Sequence, residues 1–285
     1  MEKLQLPGMT LEGFAQGGIR TSIAAHEVGA LFDVGTPLPN CLRYDKIFVT
    51  HGHPDHVGAI STVVARRNLQ DLHPVDVYVP AVIKPDLEQI FECWWRINGG
   101  HGPKFPVNIH GCKVGDEIIG LKPGMKAIGL KTYHRIDSIG WCIQRTTKKL
   151  KKEFVDKSGK EIGELKRSGV VITDDTTINL LTIPGDTTID FLINEEKAYN
   201  AKILVHEVTV WDERSSVQKT RRYGHTHYRE MIENCEKFNG DYLVLCHRSM
   251  KYSRKFVEDV VKKEFPASMK DKICIFDGGD NKSKK

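Results

Sequence analysis

Three histidines and one aspartate fall within six residues, in the string Val49-Thr50-His51-Gly52-His53-Pro54-Asp55-His56-Val57-Gly58. An apolar run precedes it (Ile47, Phe48, Val49) and a helix-like segment, 57–69, follows. Imidazole nitrogen and carboxylate oxygen suit zinc and related divalent ions, so this one turn nearly fills a coordination sphere. A strand ending near His51 lets His51 and His53 converge on one point. Asp55 and His56, at the mouth of the next helix, then face a second. Two ligand pairs from one turn imply two metal sites. A solvated polar turn is the weaker account of such a string.

Metal sites of this kind need further donors at the ends of later strands, and three residues qualify. His134 ends a predicted strand over 125–133. Asp186 follows the strand 178–183, within Pro184-Gly185-Asp186-Thr187-Thr188. His247 ends the strand 242–246. Each stands at the C-terminal end of an apolar strand, the topological position of His51, and strands of one layer deliver those ends to one rim. A lone histidine or Gly-Asp turn is more often structural. Three of them, in this order after the histidine string, reverse that reading.

The chain has 285 residues, 40% of them hydrophobic, enough to bury a sizeable core, and we read 1–285 as a single domain. Strands are expected within 11–34, punctuated by Gly17-Gly18 and a turn at His26-Glu27, and at 47–50, 75–79, 125–133, 139–144, 178–183, 203–208, 242–246 and 273–276. Pro85-Asp86 opens a helix through Trp95. Phe91, Trp94 and Trp95 read there as packing residues, Trp95 being the one open to solvent. Helices are also expected at 226–238 and 253–264. Strands and helices alternate in two halves, which fits an α/β, four-layer αββα sandwich.

Seven widely spaced cysteines with no Cys-x-x-Cys suit reduced thiols, and Cys142, Cys246 and Cys274 lie in apolar runs as small core residues. The N-terminal residues carry no apolar secretion signal, and no run approaches membrane-spanning length, so a cytoplasmic or nuclear location away from membranes is expected. The tail Lys282-Ser283-Lys284-Lys285 is a short basic end. A net charge of +5 favours an anionic partner without naming one.

The histidine string is the signature of the metallo-β-lactamase superfamily, which the chain resembles and which has the αββα fold. That resemblance implies that one ion takes His51, His53 and His134, the other Asp55, His56 and His247, with Asp186 bridging. Four further stretches resemble ribonuclease Z, the tRNA 3′-processing endonuclease: Gly185-Asp186-Thr187-Thr188, His206-Glu207-Val208-Thr209, Tyr223-Gly224-His225-Thr226-His227 and His247-Arg248-Ser249-Met250-Lys251-Tyr252. The short plant-type form looks nearest, through chain length, Leu150-Lys151-Lys152-Glu153-Phe154, Ser168-Gly169-Val170 and the Tyr-Gly-His-x-His variant. The likeness covers about residues 8–265.

It implies a zinc-dependent endoribonuclease that cleaves the 3′ trailer from precursor tRNA with a two-metal-activated hydroxide and leaves a 3′-hydroxyl. Two Zn2+ per subunit are expected, with Mn2+ or Fe2+ able to occupy the same ligands. Asp55 orients the hydroxide and accepts a proton. His225 serves as proton donor, held by Glu207. Without the resemblance, Glu207 reads as a surface acid at a strand end and His225 as a residue near a helix start. His206 and His227 read as structural.

The chain departs from the family pattern in places. Asp33-Val34-Gly35-Thr36 is a trimmed loop. Arg248 replaces a phenylalanine, and Lys251 replaces an arginine, which keeps the charge but loses the bidentate fork.

The stretch 145–170 is rich in lysine and arginine and poor in large apolar residues. Bland charge runs are solvated hairpins, and Glu153, Asp156, Glu161 and Glu164 dilute this one. In the family, an arm that grips the tRNA elbow is inserted between the equivalents of His134 and Asp186, so Lys148, Lys149, Lys151 and Lys152, with Lys251, are expected to touch RNA phosphates. The family also implies a homodimer, for which helix 57–69 and the helix bearing Phe91, Trp94 and Trp95 are candidate surfaces. The first rival is a phosphodiesterase or thioesterase of the same fold acting on a small molecule. The second is a non-catalytic, metal-stabilised RNA-binding module.

Overall fold

Apolar runs without alternation become strands buried on both faces, while alternating runs become strands with one wet face. Both kinds are present in the computed structural model, which describes residues 1–102 and 104–279. The basic tail at 282–285 and Pro103 of the 98–103 loop lie outside the described residues. The first sheet runs in the order β1 (Glu2–Leu6), β2 (Met9–Gly17), β3 (Arg20–Ala25), β4 (Ala30–Phe32), β5 (Lys46–Phe48), β6 (Val75–Pro80) and β7 (Val107–Cys112). The second contains β8 (Glu117–Ile118), β9 (Met125–Lys131), β10 (Ile139–Leu150), β11 (Thr173–Ile183), β12 (Ile203–Glu207) and β13 (Tyr242–Cys246). After β13, β14 (Arg248–Ser249) crosses back to pair with β2, and β15 (Ile273–Ile275) closes the second sheet beside β13. β12, buried at every position, lies between parallel β11 and β13, whereas edge strand β1 alternates.

The two sheets face each other across a core that joins Leu11, Phe32 and Phe48 to Trp141, Leu181 and Val205. Each such buried side chain contributes about 1.5–3 kcal/mol. Phe48 stacks on Phe32 and Tyr78 and meets the edge of Trp141 with ring centroids 4.9 Å apart. Outside the first sheet, after α1 (Pro54–Val57), lie α2 (Ile60–Asn68) and α3 (Lys84–Ile97), which press Val63, Leu87 and Phe91 onto Ile47 and Val77. α4 (Gly159–Arg167) belongs to neither face. α5 (Asp190–Asn194), α6 (Glu196–Tyr199), α7 (Val217–Arg222), α8 (Tyr228–Asn234) and α9 (Arg254–Glu264) follow, and Phe191, Met231 and Val257 cover the outer side of the second sheet. This is the expected αββα sandwich. Among the described residues, no helix is long and apolar enough to cross a membrane.

Several boundaries differ from the sequence reading. β5 stops at Phe48 because the Thr50 N–H donates to the Asp33 carboxylate at 2.7 Å instead of to a neighbouring strand. The helix expected over 57–69 begins at Pro54 and breaks at Gly58-Ala59 before α2. β9 ends at Lys131, three residues before His134. β1 and β7, each an alternating edge strand without a strong apolar run, were not anticipated. Trp94, not Trp95, is the more open indole of α3, at 44% exposure.

The stretch 145–170 is more ordered than a plain hairpin. β10 runs on past its last pairing with β9, at Arg145, and pairs with β11 alone as far as Leu150–Thr173. α4 caps this ribbon, started by a capping box between Ser158 and Glu161. The returning strand brings Asp174 and Asp175 opposite Lys149 and Lys148. From 145 to 175, nine basic residues therefore face six acids, a weaker positive field than 145–170 alone gives.

Candidate metal centre

Parallel strands of both sheets point their C-terminal ends at one rim, where the loops after β5, β9, β11, β12 and β13 meet. The first loop is stitched across the sandwich. Trp141 Nε1 donates to the Val49 carbonyl at 3.2 Å, and the Ile139 N–H to the Thr50 carbonyl at 2.8 Å. Pro54 at the first turn of α1 then fixes Asp55 and His56 one residue apart.

His51, His53, His134 and Asp186 form one group with donor atoms within 4.8 Å of one another, and Asp55, His56 and His247 form a second. Asp186 lies against both: its Oδ2 is 3.6 Å from His51 Nε2, and its Oδ1 is 3.3 Å from His56 Nε2 and 3.2 Å from His247 Nε2. The structure thus brings together the four donors of the histidine string and the three picked from later strand ends.

Four of the rings are oriented from behind, each outer nitrogen meeting a protein group. His51 Nδ1 meets the Thr50 hydroxyl at 3.0 Å, His56 Nδ1 the Asp33 carboxylate at 2.8 Å, His134 Nδ1 the Gly224 carbonyl at 2.8 Å and His247 Nδ1 the Thr209 hydroxyl at 3.0 Å. Such outer contacts fix the tautomer and turn the other nitrogen's lone pair inward. Two glycines with positive φ make room for these supports. Gly224 has φ +77°, and a Cβ there would lie 2.6 Å from His134 Nδ1. Gly185 has φ +71°, and a Cβ there would lie 2.3 Å from the Thr50 hydroxyl.

The inward nitrogens crowd one another. His51 Nε2 is 3.0 Å from His53 Nδ1, which is 3.4 Å from His134 Nε2, and His56 Nε2 is 3.3 Å from His247 Nε2. Lone pairs facing one another at that range repel unless a cation lies between them. Asp186 Oδ1 is buried without a hydrogen-bond partner. Five imidazoles and two carboxylates around such an orphaned oxygen fit divalent ions of the zinc type. The electrostatics agree. Burial holds His51 far below the usual histidine range. Burial also opposes ionisation of Asp186, yet His247 and His56 hold its carboxyl well below the usual range.

A second pair adjoins the cluster. Glu207, which reads as a surface acid when the resemblance is set aside, is 1% exposed. Its Oε1 meets His225 Nδ1 at 2.8 Å, and its Oε2 accepts from the Thr209 N–H and hydroxyl at 3.0 and 2.8 Å. His225 groups with Asp186 and His247. Burial works against a proton on His225, but the Glu207 carboxylate outweighs it and pushes the ring up to about 9. His206 is buried against the Glu207 carbonyl, and His227 caps α8, so both are structural.

The expected RNA-binding lysines lie elsewhere. Lys148, Lys149 and Lys152 are exposed and Lys151 is half-buried, with Lys151 Nζ 4.0 Å from Asp174. Lys148 and Lys149 stand roughly 30 Å along β10 from Ile139 at the rim, at about 3.3 Å per residue, and Lys151 and Lys152 lie past the end of that strand. Lys251 is exposed two residues beyond β14. Arg248 is buried and tied to Asp277 at 2.5 Å and to the Tyr252 carbonyl, so it anchors the segment that follows β15. Sequence reasoning missed Asp33, Thr209 and Arg135 at the centre. Asp33 was visible only as part of a short loop, and Thr209 as part of a motif.

A profile of the Beta-lactamase superfamily domain matches residues 32–248. The chain is 37% identical to tRNase Z TRZ1 of Arabidopsis thaliana over 266 residues, covering 92% of this chain and 94% of that one. It is 32% identical to the chloroplastic tRNase Z TRZ2 of the same plant, over 91% of this chain and 73% of that one. Among solved structures, the short form of human tRNase Z superposes with a TM-score of 0.60 at 16% identity, covering 93% of this chain and 94% of that one. The metallo-beta-lactamase fold protein YhfI of Bacillus subtilis gives a TM-score of 0.60 at 15% identity, covering 94% and 95%.

Proposed function

Because this chain belongs to the beta-lactamase superfamily and, within it, to the tRNase Z family, we propose that it cleaves the 3′ trailer from precursor tRNA with two divalent ions held by His51, His53, Asp55, His56, His134, Asp186 and His247. It is a metal-dependent phosphodiester hydrolase. The observation that carries the finer reading is the Glu207–His225 pair, 2.8 Å apart, set against Asp186 and His247. Ions bound there, zinc foremost, supply a lowered pKa for water and neutralise charge building on phosphorus.

The chain's own groups do the rest. Asp55 Oδ2, held by the Gly18 N–H at 3.0 Å, is placed to take the proton that the attacking water loses. His225 has Nδ1 committed to Glu207, which leaves Nε2–H to protonate the departing 3′ oxygen. A tRNA left with a 3′-hydroxyl follows. The buried carboxylate fixes the tautomer and stabilises the charged ring in waiting.

Precursor tRNA, bis(p-nitrophenyl) phosphate and a thioester, offered to the zinc-loaded protein, test this reading. We expect the RNA to be cut at the trailer junction to a 3′-hydroxyl, and the thioester to be left intact. Thioester turnover without RNA cleavage would overturn it in favour of a small-molecule hydrolase.

The 145–175 ribbon is assigned to docking of the tRNA body, supported by its exposed lysines. Replacing 152–171 with a two-residue Asn-Gly turn should raise KM for precursor tRNA far more than for the small diester. A homodimer is supported by the apolar stripe Ile90, Trp94 and Ile97 on α3, exposed by 46%, 44% and 71%. Light scattering that gives a monomer's mass at micromolar concentration overturns the dimer.

A further inference from the structure

The residue after His134 carries charge into the mouth of the site. Arg135 is exposed, and its Nη2 lies 3.4 Å from His53 Nε2, the ring nitrogen that faces away from His51 and His134. The guanidinium therefore sits one imidazole's width outside the donor cluster, on its solvent side. Among the described residues it has no carboxylate partner, unlike Arg221 with Asp190 and Glu230, or Arg229 with Glu213 and Glu264. The backbone at its base is closely packed. His134 is bonded to the Gly224 carbonyl at 2.8 Å, and a Cβ at Gly224 would stand 2.7 Å from the Arg135 nitrogen.

A cation beside a metal cluster, unneutralised by its own chain, is suited to meet an anion that arrives with the substrate. We propose that Arg135 is a specificity-determining clamp for the RNA phosphate adjoining the scissile one. The inference rests on the nuclease reading above. The scissile phosphate belongs over the inward nitrogens and Asp186. Arg135, on the outer edge of His53, is displaced from that point and reaches the next phosphate along the strand. The planar fork gives two parallel N–H···O bonds to one phosphate, which a lysine cannot reproduce. A small diester has no neighbouring phosphate, so it cannot use the clamp.

Arg135→Ala and Arg135→Lys, both loaded with zinc, test this against precursor tRNA over a range of salt. The alanine variant should retain its metal and raise Kd and KM for the RNA about tenfold, the size of one charge-assisted contact. Its plot of log affinity against log salt should be shallower by about 0.7, the share of one phosphate contact on a single strand. The lysine variant should recover the salt slope but only part of the affinity. An unchanged Kd and slope overturn the clamp. So does loss of metal with an equal fall on bis(p-nitrophenyl) phosphate, which would make Arg135 a prop for His53. If the wild-type protein cuts the small diester but no precursor tRNA, the nuclease reading itself fails and the clamp goes with it.

Discussion

β10 and β11 join two regions that obey opposite rules. At one end, β10 starts beside Thr50 and β11 runs into Asp186, so the pair helps frame the donor cluster. At the other, the same two strands leave the sheet and carry the lysine-rich ribbon with α4 on its tip. Donor side chains at the first end are held by several partners at once, as when Thr209 ties His247 to Glu207. Side chains at the second end have one cross-strand neighbour at most, as Lys149 has Asp174. Chemistry needs the first arrangement, because a misplaced ligand or acid fails outright. Holding a large, charged, flexible partner needs only the second, because phosphate contacts are many and individually replaceable. Substitutions of the metal donors should therefore act on every substrate, and substitutions on the ribbon only on a long one.

The largest effect belongs to Asp186, shared by both donor groups. Asp186→Ala should lose bound metal by elemental analysis and abolish turnover of precursor tRNA and of bis(p-nitrophenyl) phosphate together. A variant that keeps its metal and its small-diester activity would break the distinction between the two ends. His225→Ala comes next. It should keep its metal and slow RNA cleavage by about 10²–10⁴-fold, the usual worth of a positioned acid. Its loss on bis(p-nitrophenyl) phosphate should be much smaller, because p-nitrophenolate departs without a proton. Equal losses on both substrates would place His225 among the ligands rather than at the leaving group.

How much of this was legible in the sequence follows the same division. The seven donors could be read because each is a residue type that binds metal, clustered in one turn or placed where a predicted strand ends. The sandwich could be read because its strands are apolar runs. Asp33 could not, because its role is relational: it accepts from Thr50 and His56 but offers nothing to the centre itself. Its left-handed backbone, φ +57°, shows only in three dimensions. Thr209 and Arg135 were hidden for the same reason, being ordinary residues whose partners lie far off in sequence. The helix α4 was legible, since Ser158-Gly159-Lys160-Glu161 spells a capping box, but the signal is buried in a run of charges. Asp33→Asn probes this hidden layer. Removing half of the grip on His56 should weaken metal affinity by about 10–100-fold, measured by competition with a chelator, while cleavage at saturating zinc largely recovers. No change in affinity would mean that His56 is held well enough by its neighbours inside the cluster.

The smallest effect lies on the ribbon, where the returning strand sets Asp175 opposite Lys148 and Asp174 opposite Lys149. Opposite charges across strands hold each other for only about 0.2–1 kcal/mol, so RNA can compete for these lysines, but at a discount. Lys148→Ala combined with Lys149→Ala should therefore raise KM for precursor tRNA only a few-fold, with the salt slope shallower by at most about two, one per duplex phosphate given up. Asp174→Asn combined with Asp175→Asn makes the sharper test, because it leaves every lysine in place and removes only their rivals. If the ribbon holds RNA, this variant binds precursor tRNA more tightly than the wild type, and the gain fades as salt rises. If affinity stays flat in both double variants, the lysines are a solvated face that never meets RNA, and β10 and β11 carry function at one end only.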